Sequence, residues 1–301
     1  MTVPLRVSDE VSAALATGAS VVALETTLVS HGFSAGRGLA VALESEKRIR
    51  AAGAVPATVG VVDGAIRVGL EASALEQFAE AGNAARKVGA RDLAACVVQR
   101  ALGSATVGGT LAACRMAGIR FMATGGIGGV HRGFADSLDI SADLIQIAST
   151  PTVVVCSGAK SILDVPATAE MLETLAVPVL GWHTATLPLF YTAAGGPPVS
   201  AVVGTSPEAA EVAAAHWAVN PSGGLVLARA PAEGLDLSEL IGRAVEQVRA
   251  EGITGQAVTP AVLALIEDLS DGRSVAVNGA LIADNASLAA EVAVAYAAAE
   301  A

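Results

Sequence analysis

Twice within residues 121–164 the chain runs from a short apolar stretch straight into glycine and small polar residues. Residues 121–124 lead into Gly125-Gly126-Ile127-Gly128-Gly129. Residues 152–156, with three consecutive valines, lead into Ser157-Gly158-Ala159-Lys160. Apolar runs this short, bounded by glycine, read as strands buried on both faces, which belong to a parallel sheet covered by helices. Ligands of open α/β sheets bind outside the carboxyl ends of the strands. If the two strands are parallel, the glycine loop, Lys160 and the carboxylates of Asp136, Asp139 and Asp143 converge on one edge. Four glycines in five residues leave no side chains to keep backbone amides away from a ligand.

The flanking sequence supports that class. Residues 8–17 read as a helix capped by Ser8 and stopped by Gly18, and residues 20–24 as a strand. A helix over 38–52 stops at Gly53, and Asp63-Gly64 between 57–62 and 65–68 is a hairpin signal. Residues 86–89 read as a connector. Helices follow over 73–81, 91–101, 106–117, 164–176, 207–219, 238–251, 260–269 and 275–299, the last breaking near Asn278-Gly279, with strands at 178–181 and 223–228. Thr106 opens a helix whose first amides form a possible phosphate seat. Alternation of this kind predicts an α/β fold: a mixed, largely parallel β-sheet flanked by helices (α/β/α). No polar linker or fixed-period repeat interrupts residues 1–301, so a single catalytic domain is expected.

Composition narrows the function. Apolar residues make up 53% of 301, ample for a large core. No apolar run reaches the roughly 18 residues that span a bilayer. Asp9 and Glu10 stand where a signal peptide would carry basic residues, and Cys96, Cys114 and Cys156 have the scatter of reduced, buried thiols. A cytoplasmic protein without a membrane partner is expected. A net charge of −11 without a basic patch argues against nucleic acid, and an anionic substrate would need a local positive site. Of 18 basic residues only Lys47, Lys87 and Lys160 are lysine. Arginine serves wherever a surface cation will do, but guanidinium cannot become a neutral nucleophile. Lys47 lies on a charged helix face. Lys87 and Lys160 lie beside strand-like, glycine-rich stretches.

Three groups of residues are chemically suggestive. Glu25, directly after an apolar run and beside Thr26, Thr27, Ser30 and His31, suits a proton donor or general base, or else a sheet-edge partner for an arginine. Asp139 and Asp143, four apart, would share one face of a helix beginning at 139 and could hold a hard cation such as Mg²⁺ or Mn²⁺; ordinary helix N-terminal charge accounts for them equally well. A lysine placed as Lys160 is, once desolvated and neutral, able to attack an aldehyde carbon and form a Schiff base. Together they point to sugar-phosphate chemistry through an imine. Gly-Gly-Ile-Gly-Gly is not a dinucleotide fingerprint, since no acidic residue closes a βαβ unit downstream. His183 and His216 beside tryptophans read as packed or surface histidines.

The runs VVALETTLVSHG, GAVPATVGVVDG, RKVGARDL, SATVGGTLAACRMAGI, FMATGGIGGVHRG, DISADL and VVVCSGAKSILD resemble the pseudouridine-5′-phosphate glycosidase family from about residue 20 onward. The resemblance implies reversible cleavage of the C–C glycosidic bond of pseudouridine 5′-phosphate to uracil and ribose 5-phosphate. It implies Lys160 as nucleophile, Glu25 as proton donor and Asp139 as ligand of Mn²⁺ (or Mg²⁺), directly or through water. It also implies Lys87, Val107, Ser141, Ala142 and Asp143 as substrate contacts, His131 and Asn278 near the base, and a homotrimer. Three segments depart from the family: Phe33-Ser34-Ala35-Gly36-Arg37-Gly38 replaces a proline-containing loop, Thr192-Ala193-Ala194-Gly195-Gly196 a Ser/Arg-rich run, and Gly255-Gln256 a Gly-Lys. These departures keep open a related C-glycosidase or sugar-phosphate lyase with another base, and an inactive sugar-phosphate binding protein.

Overall fold

The computed structural model describes residues 3–33, 36–253 and 258–300. Among them, eleven strands form one sheet: β1 Leu5–Val7, β2 Val21–Glu25, β3 Val55–Val62, β4 Ala65–Val68, β5 Arg86–Val88, β6 Gly103–Ala105, β7 Phe121–Ala123, β8 Val153–Cys156, β9 Val179–Trp182, β10 Ala201–Val203 and β11 Leu225–Arg229. The helices are α1 Asp9–Ala16, α2 Thr27–Ser30, α3 Arg37–Ala51, α4 Ala72–Ala81, α5 Leu93–Val98, α6 Val107–Ala117, α7 Phe134–Ser137, α8 Asp143–Ala148, α9 Val165–Thr174, α10 Ser206–Val219, α11 Ser238–Ala250, α12 Val258–Leu269 and α13 Arg273–Glu300.

The strand order is β1-β4-β3-β2-β7-β8-β11-β9-β10, with β6 on β3 and β5 on β6. From β3 to β10 along that path every pairing is parallel, whereas β4 and β6 run antiparallel to β3. The architecture is the expected mixed, largely parallel sheet between helices.

Side-chain alternation divides the core into two layers. Val22, Leu24, Phe121, Ala123, Val153, Val155, Leu225 and Leu227 face α10 and α13. Their neighbours Val21, Ala23, Met122, Val154, Cys156, Val226 and Ala228 face the layer that contains Leu111 of α6, Leu144 of α8 and Leu172 of α9. Strands buried on both faces are therefore apolar throughout, which is why they were readable as short continuous runs.

Two registers position the site. Leu24 pairs with Ala123 and Ala123 with Val155, so β2, β7 and β8 end level with one another. β2 leaves β3 at Val59, and β6 takes up the same strand at Gly60. Ala105, at the end of β6, is thereby carried next to the residues that follow Glu25.

Several elements differ from the sequence reading. Residues 86–89, expected as a connector, contain β5, and β1, β6 and β10 were not anticipated. Each is three residues long, too short to display a period. The helix expected over 91–101 is a 3-10 turn, Ala90–Asp92, followed by the six-residue α5. Nor does α13 break at Asn278-Gly279. A Cβ on Gly279 would stand 3.1 Å from Val41, so glycine here lets α3 and α13 pack closely. α13 is also long and apolar enough to cross a membrane by length and composition, although no apolar run of that length was expected; 56% of its apolar window is buried inside the protein.

Candidate active site

The level ends of β2, β7 and β8 form the floor of a cleft of about 320 Å³. Glu25, Lys87, His131, Asp139, Ser141, Ala142, Asp143, Lys160 and Asn278 all line it. Val107 does not. It is fully buried at the first position of α6, one residue beyond the lining Thr106.

Glu25 is 6% exposed. The hydroxyl of Thr124, at the end of β7, lies in hydrogen-bond contact with its Oε1, and that of Thr27 with its Oε2. The alternative of a sheet-edge glutamate paired with an arginine is thereby excluded. Asn285 of α13 secures this corner, its amide donating to the Thr124 carbonyl (2.9 Å) and to Ser157 Oγ (3.1 Å).

Asp143 is held differently. Its Oδ1 accepts the Gly108 N–H of α6 at 2.8 Å, and its Oδ2 accepts the Gly128 N–H of the glycine loop at 2.9 Å. A helix N-terminus proposed as a phosphate seat thus already spends one amide on a protein carboxylate, and the Gly109 amide bonds Thr106 Oγ1. Asp139 and Asp143 do not share a helix face, because α8 begins only at Asp143. Asp139 sits in the preceding loop, where its carbonyl accepts from the His131 amide at 3.0 Å.

The glycine loop also owes its composition to the protein. A Cβ at Gly125 would stand 2.9 Å from Ile282, one at Gly126 2.6 Å from Phe190, one at Gly128 2.2 Å from Ser141 Oγ, and one at Gly129 2.3 Å from Thr168 Oγ1. Four elements close on these four positions, so close packing, as much as ligand access, requires glycine there.

Two of the three lysines enter the cleft, whereas Lys47 is exposed and paired with Glu44 at 3.6 Å. Burial, then the charge of Lys160, lowers the Lys87 ammonium pKa to about 8 against the opposing pull of Asp143 and Glu25. Lys160 stands on a loop stitched to its neighbour: the Ile127 amide donates to the Gly158 carbonyl and the Lys160 amide to the Ile127 carbonyl, both at 3.0 Å. Gly158 has φ 85° with Pro188 O 2.0 Å from where a Cβ would stand, so no other residue fits there. Cys156 and Cys114 are fully buried, and burial pushes both thiols up to about 12, which removes them as nucleophiles.

Sequence reasoning did not select Thr27, Thr124 or His31 as site residues. The cluster of hydroxyls and histidine behind Glu25 was the available signal. Among the described residues, His31 Nε2 and Asn278 Oδ1 are buried without a hydrogen-bond partner, and both residues line the cleft. His31 Nδ1 is paired with Asn83 Oδ1 at 3.0 Å, and burial lowers the imidazole pKa, favouring its neutral form.

A metal cage of three or more His, Cys, Asp or Glu side chains is not formed among the described residues. Asp139, 34% exposed, stands at the rim with His131 Nδ1 3.9 Å from its Oδ2. One carboxylate open to water fits a hard cation that keeps several waters and takes further oxygens from a phosphate.

Among the described residues, one residue of the departing loops lines the cleft. Phe33 lines the cleft; Ser34 and Ala35 lie outside the described residues, as do Gly255 and Gln256. The extra cation Arg37 turns to Glu267 of α12 (3.5 Å). Phe190, with φ 65°, lines the cleft, and the following run folds back so that Gly196 packs against the Leu187 carbonyl.

Comparison with known proteins agrees with this architecture. Residues 10–295 match the family model of indigoidine synthase A like proteins. A pseudouridine-5′-phosphate glycosidase of Chloroflexus aurantiacus is 46% identical over 96% of this chain and 98% of its own. One of Glaesserella parasuis is 41% identical over 97% and 98%. Among solved structures, the prealnumycin C-glycosynthase AlnA in complex with ribulose 5-phosphate superposes with a TM-score of 0.89 at 39% identity, covering 100% of this chain and 99% of its own. An indigoidine synthase A-like protein of Thermotoga maritima gives 0.88 at 32%, covering 97% and 96%. Likeness of this extent makes the chain a member of the pseudouridine-5′-phosphate glycosidase family, which the family model describes as indigoidine synthase A like proteins.

Proposed function

We propose that the protein reversibly cleaves the C–C glycosidic bond of pseudouridine 5′-phosphate, giving uracil and ribose 5-phosphate. One observation carries the reading: a buried carboxyl between two hydroxyls and two lysines, one with its ammonium pKa lowered to about 8, share a single cleft at the carboxyl ends of three parallel strands.

The chemistry explains why an amine is needed. A C-nucleoside has no heteroatom leaving group, so two carboxylates acting on a glycosidic oxygen have nothing to protonate. Glu25 gives its proton to the ring oxygen as the sugar opens, and the Lys160 amine bonds to C1′. The nitrogen passes a proton to the ionised Glu25, its lone pair then forms a C=N bond to C1′ as the bond from C1′ to the base breaks, and the base carbon takes that proton from Glu25. Water hydrolyses the imine to ribose 5-phosphate and restores the amine. Lys87 contributes positive charge beside the sugar phosphate while protonated. Ser141 and Ala142 line the sugar-phosphate side. Asn278 Oδ1, a buried acceptor awaiting a donor, faces a ring N–H of the base, with His131 nearby.

Asp139 would hold Mn²⁺, or Mg²⁺, at the rim. Such an ion neutralises charge on a bound phosphate. A cytoplasmic homotrimer is the assembly we assign, checked by sedimentation.

AlnA, a C-glycosynthase with the same fold, favours a second reading in which the sugar half is shared and another base is used. Release of uracil from pseudouridine 5′-phosphate, measured beside free pseudouridine and other C-nucleotides, decides between them. Turnover of pseudouridine 5′-phosphate supports the first reading, and turnover of another C-nucleotide alone supports the second.

A further inference from the structure

Glu25, Thr26 and Thr27 stand at the end of β2 where β6 begins to pair with β3, and both threonines meet the same partner residue, Ala105. Thr26 is fully spent: its hydroxyl donates to the Val59 carbonyl and accepts the Ala105 N–H, each at 2.8 Å. Thr27 is over-subscribed. Its Oγ1 lies 2.8 Å from the Ala105 carbonyl oxygen and in hydrogen-bond contact with Glu25 Oε2. A hydroxyl has one hydrogen and two lone pairs, whereas a carbonyl oxygen and an ionised carboxylate can only accept. Both contacts are hydrogen bonds at once only when the Thr27 hydrogen points at Ala105 and Glu25 itself carries a proton on Oε2.

We infer that Thr27 is a positioning residue that holds Glu25 in both of its protonation states, by turning its single hydroxyl hydrogen between the Ala105 carbonyl and Oε2. This rests on the reading of Glu25 as the proton carrier. When Glu25 is an acid, Oε2–H donates to Thr27 and Thr27 donates to Ala105. When the proton has left for the substrate, the Thr27 hydrogen turns to the bare oxygen. Thr124 donates to Oε1 throughout, which places the mobile proton on Oε2. Glu25, Thr27 and Thr124 are 6%, 8% and 1% exposed, so the two hydroxyls are the standing partners of the carboxyl. Among the described residues, the charged groups sharing the cleft are Lys87 on β5, Arg91 and Asp92 after it, Asp139, Asp143 at the start of α8 and Lys160 after β8, with the imidazoles of His31 and His131. Proton and atom counts balance: the carboxyl loses one proton to the ring oxygen and regains one from the Lys160 nitrogen, while the Thr27 hydroxyl only reorients.

The arrangement has a neutral mimic. Glu25→Gln places an amide oxygen before Thr124 and an N–H before Thr27, reproducing the protonated form permanently. The test on the full chain is a thermal double-mutant cycle of Glu25→Gln with Thr27→Val, together with the pH dependence of kcat. We expect Glu25→Gln to melt no lower than the wild type, and Thr27→Val to lower Tm by the same amount with either residue at 25. A loss confined to the glutamate background would show that Thr27 serves the carboxylate alone, and would overturn the proposal. In turnover, Thr27→Val should lower kcat about tenfold with KM nearly unchanged, and Thr27→Ser should restore it. Thr124→Val, which removes a donor from the ionised form, should move the alkaline limb, on which Glu25 loses its proton, to higher pH more than Thr27→Val does; an equal rise in both would also overturn the proposal. Should Thr27→Val not fold, Thr27→Ala removes the hydroxyl without crowding and takes its place. Failure of the wild type to cleave pseudouridine 5′-phosphate would sink the functional reading, yet the melting cycle would still decide the hydrogen-bond arrangement.

Discussion

Glu25 and Asp143 are both 6% exposed and line the same cleft, yet they are held by opposite kinds of donor. Asp143 accepts two backbone N–H groups, from Gly108 and Gly128. Those donors cannot turn away, so through the carboxylate they fasten α6 to the glycine loop. Glu25 meets two threonine hydroxyls, which rotate and can accept as readily as they donate. A carboxyl surrounded by fixed donors serves as a brace; one surrounded by reversible partners can exchange a proton without leaving a buried group unsatisfied. Burial alone does not distinguish them.

The comparison can be broken by giving both residues the same isosteric change. Glu25→Gln should cost about 10²–10⁴ in kcat while the melting temperature holds, because it removes a proton carrier and keeps the hydrogen bonds. Asp143→Asn should cost about 3 kcal/mol of stability in a denaturant titration, because its NH₂ must confront a backbone N–H with no acceptor between them. A stable, merely inactive Asp143→Asn would show that Asp143 belongs with the chemistry. Gly128→Ala sharpens the same point from the other side. Its methyl would stand 2.7 Å from Asp143 Oδ2 as well as against Ser141, and should lower stability by about 2 kcal/mol in the same titration.

The smallest expected effect concerns the pH dependence of Lys87. With the ammonium pKa lowered to about 8, its charge is present below that pH and lost above it. kcat/KM for a phosphate substrate should therefore decline through a limb near pH 8, by up to tenfold per unit. Lys87→Arg, charged throughout, should remove the limb; a limb that stays in place would assign it to another group.

How much of this was visible beforehand depended on whether a feature is local. The runs ending at Leu24, Thr124 and Cys156 declared buried strands, and Asp63-Gly64 declared its hairpin, because their signals lie within a few residues. Lysine scarcity isolated Lys87 and Lys160 from fifteen arginines, since the two cations differ in what a neutral amine can do. The errors came where a distant partner decides. Spacing alone put Asp139 and Asp143 on one helix face, but α8 begins at Asp143, whose carboxylate bonds Gly108 across thirty-five residues. Asn278-Gly279 reads as a break in isolation and is continuous helix because α3 packs against it. Thr124 lies ninety-nine residues from Glu25, so that contact has no local signature.

The central claim is that one amine, that of Lys160, becomes bonded to the sugar, although a second lysine with an ammonium pKa lowered to about 8 shares the cleft. Incubating the wild type and Lys160→Ala with ribose 5-phosphate and borohydride, then weighing the intact chains and mapping their peptides, tests it directly. The account predicts a single pentose phosphate adduct on the peptide containing Lys160 and none on Lys160→Ala. An adduct on Lys87, or equal labelling of both proteins, would contradict it.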